Sequence, residues 1–530
     1  MGTTTPWTPH VARIHEVVRR WAESTPDALA LEDASTRLTY SRLWQAVAEV
    51  ATSLQQLDVR AGDRVLFLAE NSVASAVLAL ATSALDAWTV LVNARLSPRE
   101  IDDFIAHSGA RIVLYLSHVS PSARDHAERH GASSVDFPHI GPVHVGPLNG
   151  LATAEGVHAA ARDQVAAMIY TSGTSGKPKG VMLTHANILF AAEAVRDIRR
   201  IAPGDRLYGV MPMAHVVGLS SQLIGSLLSG ATLVLKTRFD PDDVLRSLAS
   251  DGITVLTGVP AMFAKLLDFS RSSNVPIRAP TLRFITVAGS PLSPTLKAAT
   301  EMAFGLTLDN GYGLTETAPT VAMTTAAKRR TDCSVGTPLP GLEVRFIDAA
   351  GRDVAPGEVG ELWVRGPNVM KGYYKSPELT EAALTADGWF NTGDLVRQDS
   401  DGGLHIEGRT KEMIIRSGFN VYPVEVEQVI NAYPGVIQSA VVGRAVADNE
   451  EVVAFIEVAP DIVPDLAALQ KYLRERLSPY KIPAEIRVLH QLPAAPTGKL
   501  LKHVLKQMAA QRDAAWHGSG ATRCTSRKPK

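Results

Sequence analysis

The chain has 530 residues, 45% hydrophobic and 20% charged, which is ordinary globular composition with length enough for more than one core. A formal net charge of −1 provides neither a basic field for nucleic acid nor the acidic excess of a solvating, unfolded chain. Cys333 and Cys524, the two cysteines, form no metal-ligand spacing and no disulfide framework, which favours a reduced, cytoplasmic setting.

Residues 1–10 lack a charged stretch followed by an apolar run, so no signal peptide is expected there. Val11, Ile14, Val17, Val18 and Trp21 recur at helical spacing, and 40–57 gives a second helical pattern. Residues 64–68 are β-like. Helix, strand, helix and strand signals then alternate over 74–85, 89–91, 98–108 and 111–115. This alternation predicts crossover units on a largely parallel sheet. The most apolar stretch, 74–92, contains Asp86 and is followed by Arg95 and Arg99, so it predicts a buried helix and strand rather than a membrane span.

Residues 118–162 are rich in Gly, Pro, Ser and His and read as a loop region. Seven histidines lie between His107 and His158; His126 and His130 have the spacing of ligands on one helical face. No Cys or well-placed carboxylate completes a zinc site, so these are expected to be solvated loop histidines. Alternation resumes over 165–308, with strands expected at 233–235, 254–256 and 284–287. From 335 to 396, short strands with Gly-Pro turns predict a small antiparallel sheet or barrel. A boundary falls near 408–412. Residues 414–506 read as a separate α+β unit, with helices at 424–431 and 465–477 and strands at 439–442 and 452–458. The end of the chain, 518–530, is small, polar and basic, and no internal repeat is visible.

The strongest chemical signal is Thr171-Ser172-Gly173-Thr174-Ser175-Gly176-Lys177-Pro178-Lys179-Gly180, set between β-like runs at 165–170 and 181–183. Its glycines let the backbone turn tightly and aim N–H groups at an anion, while the hydroxyls and two lysines add donors and charge. A triphosphate is the natural ligand. Pro178 stands where a Walker A loop needs Ser or Thr, and Gly311-Tyr312-Gly313 lacks the third glycine of a dinucleotide fingerprint.

This loop resembles the phosphate-binding signature of the adenylate-forming superfamily of acyl- and aryl-CoA synthetases, luciferases and peptide-synthetase adenylation domains. The resemblance covers roughly 16–506, and further segments match in the family's order. It implies an α/β fold with a large N-terminal domain of layered α/β subdomains plus a small β-barrel-like part (1–408). A hinge (409–412), a small mobile α+β C-terminal domain (413–510) and a disordered tail (511–530) would follow.

The resemblance also implies roles. Asn310-Gly311-Tyr312-Gly313-Leu314-Thr315-Glu316 resembles the second nucleotide segment. There Tyr312 would pack on adenine, Thr315 would meet the α-phosphate and Glu316 would hold Mg²⁺. Asp394 would accept both ribose hydroxyls, with Arg409 also reaching the ribose and Lys411 as the hinge residue. Gly418 and Phe419 match the loop that meets CoA in the thioester step. Lys499, in Pro496-Thr497-Gly498-Lys499, would be the catalytic lysine, with Lys502 replacing the usual Arg just beyond.

Met211-Pro212-Met213-Ala214-His215-Val216-Val217 resembles the segment lining the acid pocket, with His215 as its gate. Ala288-Gly289-Ser290 resembles the pocket and adenine floor, and Gly311 and Leu314 would lie beside it. Amino-acid adenylation domains usually place an Asp in the His215 region, and malonate-type ligases an Arg at the place of Gly311. Neither is present, which favours a monocarboxylic acid, fatty or aromatic. The implied reaction is ATP-dependent adenylation of that acid, then acyl transfer to CoA. The alternative is a stand-alone adenylating enzyme that loads a carrier protein. A nucleotide-binding sensor and a luciferase-like oxygenase are further readings, the first opposed by the presence of Lys499, Glu316 and Asp394. A homodimer is compatible with all of these; nucleic acid and a membrane span are not expected.

Overall fold

The computed structural model describes residues 7–172, 178–325, 327–416, 419–446, 449–458, 464–495, 500–511 and 523–525. Two large sheets dominate the first three-quarters of the chain. One has eight strands. Its middle strands, Arg64–Ala69, Trp88–Asn93 and Ile112–Tyr115, run parallel, as the alternation predicts. The other has nine strands, with a parallel centre formed by Thr232–Leu235, Arg206–Gly209, Val255–Gly258, Phe284–Ala288 and Leu308–Gly313.

The helix Val73–Ala84 is buried from Val73 through Ser83, and the next strand, Trp88–Asn93, is buried too. A continuous apolar core joins residues of both sheets through such helices, from Phe67 and Leu91 to Leu207 and Leu233. The apolar stretch is therefore core, and no helix among the described residues is long and apolar enough to cross a membrane.

Local chemistry sets several boundaries. In the helix Pro98–Ser108 the Ser97 hydroxyl accepts from Glu100 N, Glu100 accepts from Ser97 N at 2.9 Å, and Pro98 opens the first turn. Gly109 closes that helix at φ 56°, where a side chain would be strained.

Residues 118–162 differ from expectation. They hold the helix Pro121–Arg129 and the paired strands Ser133–Phe137 and Gly141–Val145, which extend the eight-stranded sheet. The outermost strand is mostly polar and exposed, so its composition imitates a loop. Nor are the histidines simply solvated. His126 is buried. His130 meets the Tyr115 hydroxyl at 2.6 Å and Asp102 at 3.0 Å, so a carboxylate does stand beside it. Arg129 holds the other Asp102 oxygen at 2.7 Å. The cluster of three candidate metal ligands among the described residues lies elsewhere, at Asp332, Asp399 and His405, and Arg330 already pairs with both of those carboxylates.

The Gly-Pro-rich region forms a four-stranded antiparallel sheet, Glu343–Ile347, Val359–Arg365, Phe390–Gln398 and Leu404–Arg409. The last part is α+β. A hairpin, Ile414–Arg416 with Phe419–Val421, precedes the helix Pro423–Asn431. The strands Val436–Val446, Asn449–Val458 and Glu485–Leu489 form a sheet, and the helices Leu466–Arg474 and Lys502–Ala510 complete the unit. Three residues of the expected disordered tail, Arg523–Thr525, lie antiparallel to Glu485–Leu489. The backbone groups on that strand's free edge accept such pairing from any extended segment.

Candidate active site

The strand Leu308–Gly313 carries its residues to the end of the parallel array, where open α/β sheets bind ligands. Its register sets Ala288 opposite Gly311 on one side and Met323 opposite Gly311 on the other. A Cβ on Gly311 would stand 3.3 Å from Met323 Cε and 3.8 Å from Ala288 Cβ, so the neighbouring strands close in on this glycine. Gly289 turns the chain away at φ 86°, leading into Ser290. Gly313 admits no side chain at all, because a Cβ would overlap the Pro319 carbonyl. The segment then tightens into the single turn Thr315–Thr317, with Thr315 buried and Glu316 half-buried.

Two polar constellations converge there. In the first, Asp394 and Arg409 are paired residues on neighbouring strands, and Arg409 Nε donates to Asp394 Oδ1 at 2.7 Å. The Tyr312 hydroxyl donates to Asp394 Oδ2. Asp394 is 3% exposed, so both lone-pair faces of a buried carboxylate are engaged. Burial pushes the Tyr312 phenol well above its ordinary value, and the Asp394 charge adds to the effect. For Arg409, burial opposes the charge, yet Asp394 holds its pKa above the ordinary arginine value.

The second constellation centres on Tyr373, which no sequence motif singles out. Strand Gly372–Tyr373 pairs with Pro178–Thr184, the outgoing strand of the glycine-rich loop. Tyr373 Oη donates to Glu316 Oε1 at 2.8 Å, and Lys179 Nζ sits 5.2 Å from the Tyr373 ring centroid. Burial, reinforced by Glu316, raises the Tyr373 phenol. One tyrosine thus ties the glycine-rich hairpin to Glu316. A lone Tyr after Gly372 carries no local signal of that role.

The loop hairpin itself is in place: Val165–Ser172 and Pro178–Thr184 are antiparallel, with Thr171 opposite Lys179. Gly173, Thr174, Ser175, Gly176 and Lys177 lie outside the described residues, as do Gly418 and Lys499. Around Lys499, Ala494 pairs with Leu500, and Leu501 N donates to Pro493 O at 2.8 Å.

Asn310 is buried and its amide nitrogen donates to the Cys333 carbonyl at 3.0 Å, which holds the neighbouring loop. His215 is half-buried in the turn that enters the helix Val217–Ile224, and its Nδ1 accepts from Val217 N. Val216 is buried and Val217 half-buried. Ser220 of that helix donates to the Ala318 carbonyl at 2.8 Å, which brings the His215 segment beside the Leu314–Glu316 turn.

At the boundary, Thr410 bonds to Glu361 and Lys411 is exposed in a turn. Lys502 contacts Glu412 and Glu427 at 2.9 Å each. Burial disfavours the Lys502 charge, but Glu427 and Glu412 hold its pKa above the ordinary lysine value. Phe419 is 54% exposed and stacks on Tyr480 at 4.7 Å.

A glycine-rich hairpin, a carboxylate–arginine–tyrosine triad and a second carboxylate, all gathered at strand ends beside a small α+β unit, define a nucleotide-binding enzyme of the adenylate-forming class. The comparisons carry the assignment further. The family described as AMP-binding enzyme matches residues 18–374, and that described as AMP-binding enzyme C-terminal domain matches 425–499. The chain belongs to this family, the adenylate-forming acyl- and aryl-CoA synthetases.

A feruloyl-CoA synthase from Amycolatopsis sp is 35% identical over 487 residues, which is 92% of this chain and 96% of the relative. ATP-bound MatB from Rhodopseudomonas palustris matches with a TM-score of 0.79 at 30% identity, over 94% of this chain and 99% of that one. The o-succinylbenzoate CoA synthetase of Bacillus subtilis, in complex with its acyl-adenylate intermediate, gives 0.79 at 30% identity over 93% and 98%.

Proposed function

We propose that this chain is an ATP-dependent, AMP-forming ligase that joins an uncharged-tail monocarboxylic acid, preferentially an aryl acid, to CoA. The observation that carries the substrate class is the uncharged junction at Gly311, whose strand neighbours are Met323 and Ala288. No acidic residue stands in 211–219 to pair an amino group, and no cation stands at Gly311 to pair a second carboxylate. An uncharged tail suits such apolar neighbours. A relative named for ferulate supports an aryl preference. An aliphatic acid is the second reading.

In the first half-reaction a substrate carboxylate oxygen attacks the α-phosphorus of ATP, the bond to the bridging oxygen breaks, and pyrophosphate leaves. In the second, the CoA thiol gives up its proton to solvent and its sulfur attacks the acyl carbonyl carbon; the bond from that carbon to the phosphate oxygen breaks, and AMP leaves with the electron pair on that oxygen. No enzyme nucleophile is needed, so the protein's work is positioning and charge stabilisation. Asp394 and Arg409 would receive the ribose, and Tyr312 would offer its ring to adenine. Lys179 and the glycine-rich loop would hold phosphate oxygens, and Thr315 would meet the α-phosphate.

Glu316 has the hard carboxylate donor that Mg²⁺ favours and is oriented by Tyr373, so it is the residue that would hold that ion. When bound, Mg²⁺ would neutralise phosphate charge. Lys499 would bridge the acid and the α-phosphate in the first step and move away, about Lys411, for the second. Gly418 and Phe419 would then face CoA. A cytoplasmic location agrees with CoA as acceptor.

The test is AMP release with MgATP and CoA over acetate, octanoate, palmitate, benzoate, phenylacetate and ferulate. An aryl acid should lead the panel. Preference for octanoate or palmitate would establish the second reading, and dependence on a carrier protein instead of CoA would overturn the ligase proposal.

A further inference from the structure

The acid-pocket segment poses a hydrogen-bonding problem. Residues 210–215 belong to no strand or helix, yet Val210, Met211 and Met213 are buried. Buried backbone N–H and C=O groups need partners. Here side-chain amides supply them. Asn71, 4% exposed, donates from Nδ2 to the carbonyls of Gly209 and Met211 at 3.1 and 2.9 Å, and its Oδ1 accepts from Met213 N at 2.8 Å. From the other side Gln222, 2% exposed, accepts from Met211 N at 3.2 Å and donates to Tyr208 O at 3.1 Å.

Asn71 follows the strand Arg64–Ala69 of one large sheet, whereas Gly209 ends the strand Arg206–Gly209 of the other. The amide therefore spans the two sheets just before His215. Its neighbour, buried Glu70, pairs with both Arg238 (2.9 Å) and Arg95 (3.2 Å). The turn has no slack elsewhere. A Cβ on Gly218 would lie 2.2 Å from the Pro212 carbonyl oxygen, and His215 N already bonds Pro212 O at 2.9 Å.

We propose that Asn71 is the positioning residue of the acid pocket, holding 209–213 so that His215 is presented to the carboxylic acid; this rests on His215 lining that pocket. A planar primary amide satisfies two carbonyls and one N–H at once, which a hydroxyl or carboxylate cannot do. The effect should be specific. The nucleotide constellations at Asp394 and Glu316 share no hydrogen bond with Asn71, so loosening the clamp should alter acid binding and leave ATP binding in place.

The experiment is steady-state kinetics with the best acid of the panel, on Asn71→Ala, His215→Ala and the double variant. Asn71→Ala is expected to raise the acid KM about tenfold or more while the ATP KM stays within about twofold. In the His215→Ala background the same change should raise the acid KM by less than about threefold, because both act through one element.

Parallel rises in the acid and ATP KM, or full additivity in the double variant, would overturn the role of Asn71 alone. An unchanged acid KM in His215→Ala would sink the pocket reading and this inference with it. Asn71→Asp keeps the volume and the Met213 contact but loses both donors, so it should show the same split. Loss of fold in both Asn71 variants would mark the amide as purely structural.

Discussion

The two ends of the proposed nucleotide site are built differently. At the Asp394 end a nearly inaccessible carboxylate is held by Arg409 and Tyr312, with both oxygens engaged. At the Glu316 end a half-buried carboxylate receives the Tyr373 hydroxyl on Oε1, next to the loop hairpin that carries Lys179. The first end is a rigid, charge-balanced anchor. The second is more accessible and suited to charge that arrives with the ligand. A carboxylate that must receive neutral hydroxyls gains when its oxygens are already oriented, whereas one that must meet a cation gains when it is accessible.

Lys499→Ala tests the residue that would act at neither fixed end. It should lower acid-dependent ATP–pyrophosphate exchange by about a hundredfold or more, as loss of a charge-stabilising donor does. It should spare thioester formation from a supplied acyl adenylate; equal loss of both steps would contradict its role. Next in size is Asp394→Ala. It leaves the partly buried Arg409 and the buried Tyr312 hydroxyl without their acceptor, at a cost of about 1–3 kcal/mol in stability. The ATP KM should rise more than the acid KM; the reverse order would mean that this end does not bind the ribose.

Tyr373→Phe removes one hydroxyl from Glu316 while keeping the ring under Lys179. A stability loss of about 0.5–1.5 kcal/mol is expected. The magnesium concentration for half-maximal rate should shift, and an unchanged magnesium dependence would break the contrast between the two ends. The smallest effect is expected from Gly311→Ala. Its new Cβ would press on Met323 Cε, a flexible side-chain end that can give way. Ferulate or benzoate should lose several-fold in kcat/KM while acetate is little changed; equal loss for all acids would remove Gly311 from the pocket.

Several features were legible in the sequence for local reasons. The helix Pro98–Ser108 was bounded correctly because its cap, its Pro and its closing Gly lie in consecutive residues. The helix and strand over 73–93 were legible because continuous apolar runs admit few alternatives to burial. The Thr171–Gly180 and Asn310–Glu316 segments were visible because their backbone requirements, glycines at tight positions, are written into composition. The region 118–162 resembles loop in composition because a polar edge strand and a polar helix show no pattern until their single buried face is known.

The α/β alternation, the paired strands on either side of the glycine-rich loop and the reaction family are readable in the residues alone. That Tyr373 meets Glu316, 57 residues before it in sequence, follows from the folded chain and not from any local pattern. The tertiary structure also decided that Asn71 braces 209–213 across 138 to 142 residues, and that Lys502 reaches Glu412 across 90. The physical reason is one of range. Turn geometry, capping and periodicity act over a few residues and leave a pattern in order. A single side-chain hydrogen bond between distant elements leaves none, because one Tyr, Asn or Lys is chemically ordinary until the fold supplies its partner.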